Sequence, residues 1–182
     1  AAYLVAPEDK PALLAHVLSD AALDRALVFT RTKHGADRVV KQLARAGVAA
    51  EAIHGNKKQT HRDRALDAFR RGTCRILVAT DIAARGVDVP GVSHVVNFEI
   101  PNVAEQYVHR IGRTARAGRD GRAVSFVAGD EIAHLRAIEK TTRLGVQVLA
   151  LPDAMGPEAA RRAPRPVADA PRKPSGAGRR RG

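Results

Sequence analysis

The sequence predicts an α/β domain built on a twisted, mostly parallel sheet with helices on both faces. Short β-rich runs alternate with helical stretches: RALVFT (25–30), TKHGADRVVKQLARAG (32–47), AAEAIHG (49–55), THRDRALDAFRRG (60–72) and CRILVAT (74–80). That alternation is the strand–helix–strand rhythm of a parallel sheet. Turn chemistry agrees with it. In the helix after Thr32, Val39, Val40 and Leu43 recur at helical spacing, and Gly47 is placed to end it as a left-handed cap. Thr60 with Asp63 reads as a capping-box-like start for the next helix, with Leu66 and Phe69 facing inward and Gly72 closing it.

The remaining elements follow in order. AAYLVA opens the chain as a strand, and because no methionine precedes it the chain reads as cut from a longer protein. SHVVNF (93–98) and RAVSFV (122–127) are two more strands, flanking NVAEQYVHRIGRTARAG (102–118), and a last helix runs over about 130–144. Beyond Leu151 the texture changes: six of the ten prolines fall in 152–182, beside RR, RK and RRR clusters. So little apolar surface cannot offset the entropy of ordering, which predicts one domain over 1–151 and a disordered basic tail over 152–182.

With 45% hydrophobic and 27% charged residues, the 182-residue chain can bury one domain-sized core. Its longest apolar runs, such as Ala26 to Phe29, fall far short of a membrane span, and no basic-then-apolar leader opens it; a cytoplasmic protein without membrane contact is expected. One cysteine, Cys74, rules out an internal disulfide or a cysteine-cluster metal site and reads as a small buried hydrophobe.

A formal charge of +12 points to a polyanionic partner, with +5 carried by 152–182 and +7 by the body. Four Phe, two Tyr and no Trp leave few stacking platforms, so contact with a sugar-phosphate backbone, without sequence-specific reading, is the expectation.

In a parallel sheet, ligands gather where strand carboxyl ends feed helix N-termini. Three polar loops fall there: Thr30 to Lys33, His54 to Lys58, and Thr80–Asp81 through Asp88. Together they describe an anion-binding rim, although any one alone also fits an ordinary solvated loop. The segment HRIGRTARAGRDGR spaces Arg110, Arg113, Arg116, Arg119 and Arg122 by three. A merely solvated charged face fits poorly with the interleaved Gly112, Gly118 and Gly121, which favour a shaped loop presenting guanidinium forks to phosphate oxygens.

LVFTRTK (27–33), IHGNKKQTHR (53–62), ILVATDIAARGVDVP (76–90), VVNFEIP (95–101) and YVHRIGRTARAGR (107–119) resemble motifs IV, IVa, V, Va and VI of DEAD-box RNA helicases, in order and at family spacing. The resemblance covers about 1–151. The HGNK loop and the HRIGRTARAG form further resemble the bacterial RhlE-like branch. The resemblance implies a RecA-like three-layer domain, the second of two, which closes with the first on ATP and RNA.

Carried across, it makes Arg113 and Arg116 the fingers that reach the γ-phosphate of ATP. His109 and Arg110 would couple this segment to the ATP site, and Asp88, in a segment that includes Gly86, would contact the nucleotide. Thr30, Arg31, Gly55, Gln59, Arg62, Thr80 and Asp81 would hold the RNA backbone. His54 and Asn56 would shape their loop rather than touch RNA. Ala115 stands where many relatives have glycine, which constrains the backbone but removes no donor.

No Gly-Lys dipeptide and no Asp-Glu-Ala-Asp box occurs in the chain, so neither a phosphate-cradling lysine loop nor magnesium ligands are present. ATP with Mg2+ is therefore expected to be held mainly by an N-terminal RecA-like domain, with no metal ligand here. A DNA helicase or translocase of the same superfamily and a stand-alone RNA-binding module are the alternatives. The Gln-x-x-Arg motif and the HRIGRTAR form weigh against the first, and the pair of fingers weighs against the second.

Overall fold

The computed structural model describes residues 1–85, 89, 91–115 and 121–165. Seven strands form one sheet: β1 (Ala2–Leu4), β2 (Ala26–Thr30), β3 (Glu51–Ile53), β4 (Ile76–Thr80), β5 (His94–Asn97), β6 (Arg122–Val127) and β7 (Val148–Leu149). Their order is β3-β4-β2-β5-β6-β1-β7, and every neighbouring pair is parallel. The helices are α1 (Lys10–Leu18), α2 (Lys33–Arg45), α3 (Gln59–Arg70), α4 (Asp81–Ala84), α5 (Ala104–Ile111), α6 (Ile132–Thr142) and α7 (Gly156–Arg162). Among the described residues no helix is long and apolar enough to cross a membrane.

The central strands β2 and β4 are buried on both faces, as a sheet covered by helices on each side requires. Side chains alternate along them with period two. Ala26, Val28, Ile76 and Val78 join Leu13, Leu14, Val39 and Leu43 of α1 and α2 on one face. Leu27, Phe29, Leu77 and Ala79 join Ala65 and Phe69 of α3 on the other. Farther along that second face, Tyr107, Leu135 and Ile138 of α5 and α6 pack with Leu4 and Val127. The result is the expected three-layer sandwich.

Gly47 follows α2 with φ of +75°, as its place at the helix end predicted, and the structure adds a cap at the start, where Thr32 Oγ1 accepts from the Gly35 amide at 3.0 Å. The start of α3 differs from expectation. Lys58, not Thr60, occupies the cap position without a side-chain bond, and Asp63 instead accepts from Gln59 Nε2 at 2.8 Å.

The domain boundary expected at Leu151 also moves. Leu151 and Met155 pack on the α1–α2 side of the core, Ala159 of α7 is buried, and Arg162 grips Asp9 with two bonds of 3.0 and 2.7 Å. Three apolar anchors and a fork-to-carboxylate pair hold 153–162 against the body, so these residues are not a disordered tail. Residues 166–182 of that expected tail lie outside the described residues.

At the amino ends of the strands, His94 is buried and bonded through Nδ1 to Ser93 Oγ, with Asp20 3.6 Å from its Nε2 and Arg122 on the same carboxylate. Burial lowers the His94 pKa below its ordinary value of about 6.5, and the nearby Arg122 adds to this against the pull of Asp20. The unfolded chain therefore takes up this proton more readily than the folded one. The stabilisation from His94 is complete above about pH 6.5 and is lost as pH falls through the lower folded value. Urea unfolding across pH 5 to 7 should show stability dropping toward acid, and His94→Gln should flatten that slope; an unchanged slope in the variant would remove His94 as its source. Asp20, held low chiefly by the Ala22 amide, acts in the separate window below its ordinary value of 3.8.

Candidate functional site

The three polar loops do meet along the carboxyl edge of the sheet. Thr30 and Thr80 end adjacent strands in register. Thr30 is fully buried, its hydroxyl donating to the Thr32 carbonyl at 3.1 Å, so the RNA contact expected of its side chain is not available in this arrangement. Thr80 stands at the N-cap position of α4 in extended backbone, without a side-chain capping bond. Arg31 is exposed; its amide donates to Glu99 Oε2 at 2.7 Å, and its guanidinium lies 3.4 Å from Asn102 Oδ1 and 3.6 Å from Glu131 Oε1.

Beyond β3, Gly55 is exposed at the tip of a turn closed by the Lys57 amide on the His54 carbonyl, and a side chain there would meet nothing within 4 Å. Its expected role is therefore not forced by crowding within this chain. Gln59 and Arg62 share one turn of α3, Arg62 Nη1 donating to Gln59 Oε1 at 3.3 Å, while Arg62 Nε is buried without a hydrogen-bond partner. His54 is buried, consistent with shaping the loop rather than contacting a ligand.

Arg110 departs most from its expected role. Its side chain is 1% exposed, and its fork grips both oxygens of Asp81 at 2.6 and 2.7 Å. Its Nη1 donates to Asn97 Oδ1 at 3.1 Å and the Glu99 carbonyl at 2.7 Å, and the guanidinium stacks 4.9 Å above the Phe29 ring. A guanidinium so engaged is tied into the fold, and the same side chain also lines the cleft beside it. Asp81, expected on the RNA surface, has both carboxylate oxygens bonded to Arg110 while its side chain stays 22% exposed. Sequence spacing missed this because buried and exposed arginines look alike in a periodic run, whereas Asp81, Asn97 and Glu99 come from other segments.

The brace joins elements that matter. Asp81 begins α4 beside Thr80, Glu99 holds the Arg31 amide through its side chain and Arg110 through its carbonyl, and Arg110 belongs to α5. Beside it a shallow cleft is lined by Phe29, Asp81, Arg85, Gln106, His109 and Arg113. His109 is exposed there, and Arg113 follows α5 in a turn closed on the Arg110 carbonyl at 3.1 Å.

Ala115 adopts φ of 54°, the left-handed region that favours glycine and costs an alanine about 1 kcal/mol. Thr114 anchors the same turn by donating to the Val92 carbonyl at 2.6 Å, and a Cβ on Gly121 would overlap Thr114 Oγ1 and the Ala115 backbone. Arg116, Gly86 and Asp88 lie outside the described residues. Arg122 is remote from the cleft, paired with Asp20, so the three-residue spacing does not extend to one shared face.

Among the described residues no three His, Cys, Asp or Glu side chains are grouped to hold a metal ion, and the one carboxylate lining the cleft is gripped by Arg110. Guanidinium and imidazole donors suit phosphate oxygens, so these residues fit a nucleotide's phosphates and not its magnesium.

Comparison with known proteins places the chain in a family. The family model described as the helicase conserved C-terminal domain matches residues 9–118. The ATP-dependent RNA helicase CshA of Listeria monocytogenes is 45% identical over 145 residues, covering 80% of this chain and 28% of that protein. The DEAD-box protein SrmB of E. coli, solved bound to regulator of ribonuclease activity A, superposes with a TM-score of 0.79 at 34% identity, covering 93% of this chain and 95% of that one. The chain is a DEAD-box helicase C-terminal domain.

S. cerevisiae Dbp5, solved bound to RNA and ADP BeF3, matches this DEAD-box domain with a TM-score of 0.77 at 32% identity, over 84% of the chain and 42% of Dbp5. RhlB of Pseudomonas syringae is 45% identical over 138 residues, 76% of the chain and 35% of that protein. The domain thus spans about a third or less of these curated relatives. They carry the names CshA and RhlB, so the RhlE-like branch rests on the HGNK and HRIGRTARAG forms alone.

Proposed function

We propose that this DEAD-box domain is the second half of an ATP-dependent RNA helicase. It binds the RNA sugar-phosphate backbone along its carboxyl edge and supplies Arg113 and Arg116 to ATP held by an N-terminal RecA-like domain, coupling hydrolysis to local duplex unwinding. The Arg110 brace carries the reading, because it ties Thr80–Asp81 and the Arg31 loop to the helix that precedes Arg113. A shift imposed at one end is felt at the other without either loop bending, since a packed fork-to-carboxylate pair resists gradual deformation.

On this reading Arg31, Gly55, Gln59, Arg62 and Thr80 form the RNA surface, whereas Asp81 and the Thr30 hydroxyl act inside the fold. Arg113 would place planar donors against the oxygens of the transferring phosphoryl group, where negative charge is stabilised, with His109 at the cleft mouth. Arg116, Asp88 and Gly86 complete the nucleotide side. ATP with Mg2+ supplies the phosphoryl group and its charge-neutralising metal, both held mainly by the partner domain. The few aromatic residues favour backbone contact without sequence preference, and the basic residues of 163–182 would add salt-dependent affinity. A cytoplasmic setting is part of the same reading.

The RNA surface is tested by titrating single-stranded RNA into the 182-residue chain. Arg62→Ala and Thr80→Val should each weaken binding, and Arg62→Ala should make log K against log salt shallower by about 0.7, the value for one phosphate contact on a single strand. Affinities equal to wild type in both variants would reject this surface.

A further inference from the structure

The loop carrying Gly55 is held from outside itself. Asp37, on α2, places one carboxylate oxygen 3.1 Å from His54 Nε2 and the other 3.0 Å from Lys57 Nζ. These two residues bracket Gly55 and Asn56, so a single side chain from another helix fixes both ends of the turn that leads into α3. We propose that Asp37 is a positioning residue for RNA binding, holding the Gly55 turn and the first turn of α3 in the geometry that meets the RNA backbone.

The chemistry supports a clamp rather than a chance surface pair. Burial works against ionisation of Asp37, yet the bonds from Lys57 and His54 hold its carboxyl below the usual carboxylate range. An ionised carboxylate only accepts, so His54 must carry its proton on Nε2. His54 Nδ1 is buried with no hydrogen-bond partner among the described residues. Among the described residues the imidazole therefore has one polar tether, Asp37. Lys57, partly exposed on the far side, is turned back onto the protein by the same carboxylate and closes the turn through its own amide on the His54 carbonyl at 3.0 Å. A turn already ordered before RNA arrives loses less conformational freedom on binding, which is how a residue that touches no phosphate raises affinity. The same clamp fixes where α3 begins, and with it Gln59 and Arg62.

This inference rests on the RNA-surface reading above, and the test separates the two. Wild type, Asp37→Asn, Lys57→Met, the double variant and Arg62→Ala would be compared as full 182-residue chains by single-stranded RNA titration at several salt concentrations. Proton NMR would follow the His54 Nε2–H resonance. Asp37→Asn should lose the slowly exchanging imidazole proton and weaken RNA binding about tenfold, the scale of one charge-assisted hydrogen bond, with an unchanged salt slope because no phosphate contact is removed. Lys57→Met should weaken binding less, and the double variant should be no worse than Asp37→Asn, because both changes release one turn. Wild-type affinity in Asp37→Asn, or tighter binding with a steeper slope because Lys57 is freed toward phosphate, overturns the clamp. If Arg62→Ala also binds as wild type, the RNA surface itself is wrong. Should Asp37→Asn fail to fold, Lys57→Met decides, since it cuts one tether with Asp37 intact: wild-type affinity there overturns the proposal and weakened affinity with an unchanged slope sustains it.

Discussion

Replacing Arg113 by lysine, with this domain joined to an N-terminal ATP-binding domain, should lower RNA-stimulated ATP turnover by about 10³-fold or more, the scale of an arginine finger. Arg116→Lys should do the same. Lysine keeps the positive charge but gives up the planar fork that meets two phosphoryl oxygens at once, so the loss reports geometry and not net charge. RNA affinity of the separate domain should change little, because Arg113 lines the cleft beside α5 rather than the edge carrying Arg62 and Thr80. Steady-state ATPase assays with saturating RNA check this, and turnover that survives both substitutions removes the finger assignment.

Arg110→Met should destabilise the domain by about 3 kcal/mol, near the lower end for breaking a buried ion pair because Asp81 is 22% exposed. The change strips Asp81 of its cation and leaves Asn97 Oδ1 and the Glu99 carbonyl short of a donor. For a domain of this size that corresponds to a melting midpoint lower by roughly 6 to 12 °C. Adding Asp81→Leu should restore part of the loss, since an apolar pair of similar volume no longer buries an uncompensated charge. Turnover in the two-domain protein should stay low in the double variant, because stability returns and the link from Thr80 to α5 does not. Thermal melts beside turnover assays read both quantities. An unchanged melting point in the single variant, or full turnover in the double, would remove Arg110 as a brace.

What was legible in the sequence tracks how local each determinant is. Strands β2 and β4, the helix after Thr32, Gly47 at its end and the inward Phe69 are set within a few residues, and each lies where its own chemistry placed it. Helix α1 was not read, because Ala12 to Leu18 is apolar almost all round and offers no polar face to set a helical period. Strand β7 is two residues long and defined by its pairing with β1. Helix α7 was hidden by averaging proline content over a long segment, when Met155, Ala159 and Arg162 suffice to dock one short helix onto Asp9 and the core.

The site shows the same division. The loops that form the carboxyl edge were visible as loops between strands and helices. Which of their side chains turn inward was not, because the partners of Arg110 and Asp37 lie in other segments of the chain and no spacing rule brings them together.

The central claim, that this domain holds one half of a divided ATPase, is tested most directly by RNA-stimulated ATP turnover. It would be measured for the 182-residue chain alone and for the same chain joined to an N-terminal ATP-binding domain. The account predicts turnover only in the joined protein, since the chain has no Gly-Lys loop to cradle phosphates and, among the described residues, its cleft offers donors for phosphate but no open carboxylate for magnesium. RNA-stimulated turnover by the chain alone would contradict it.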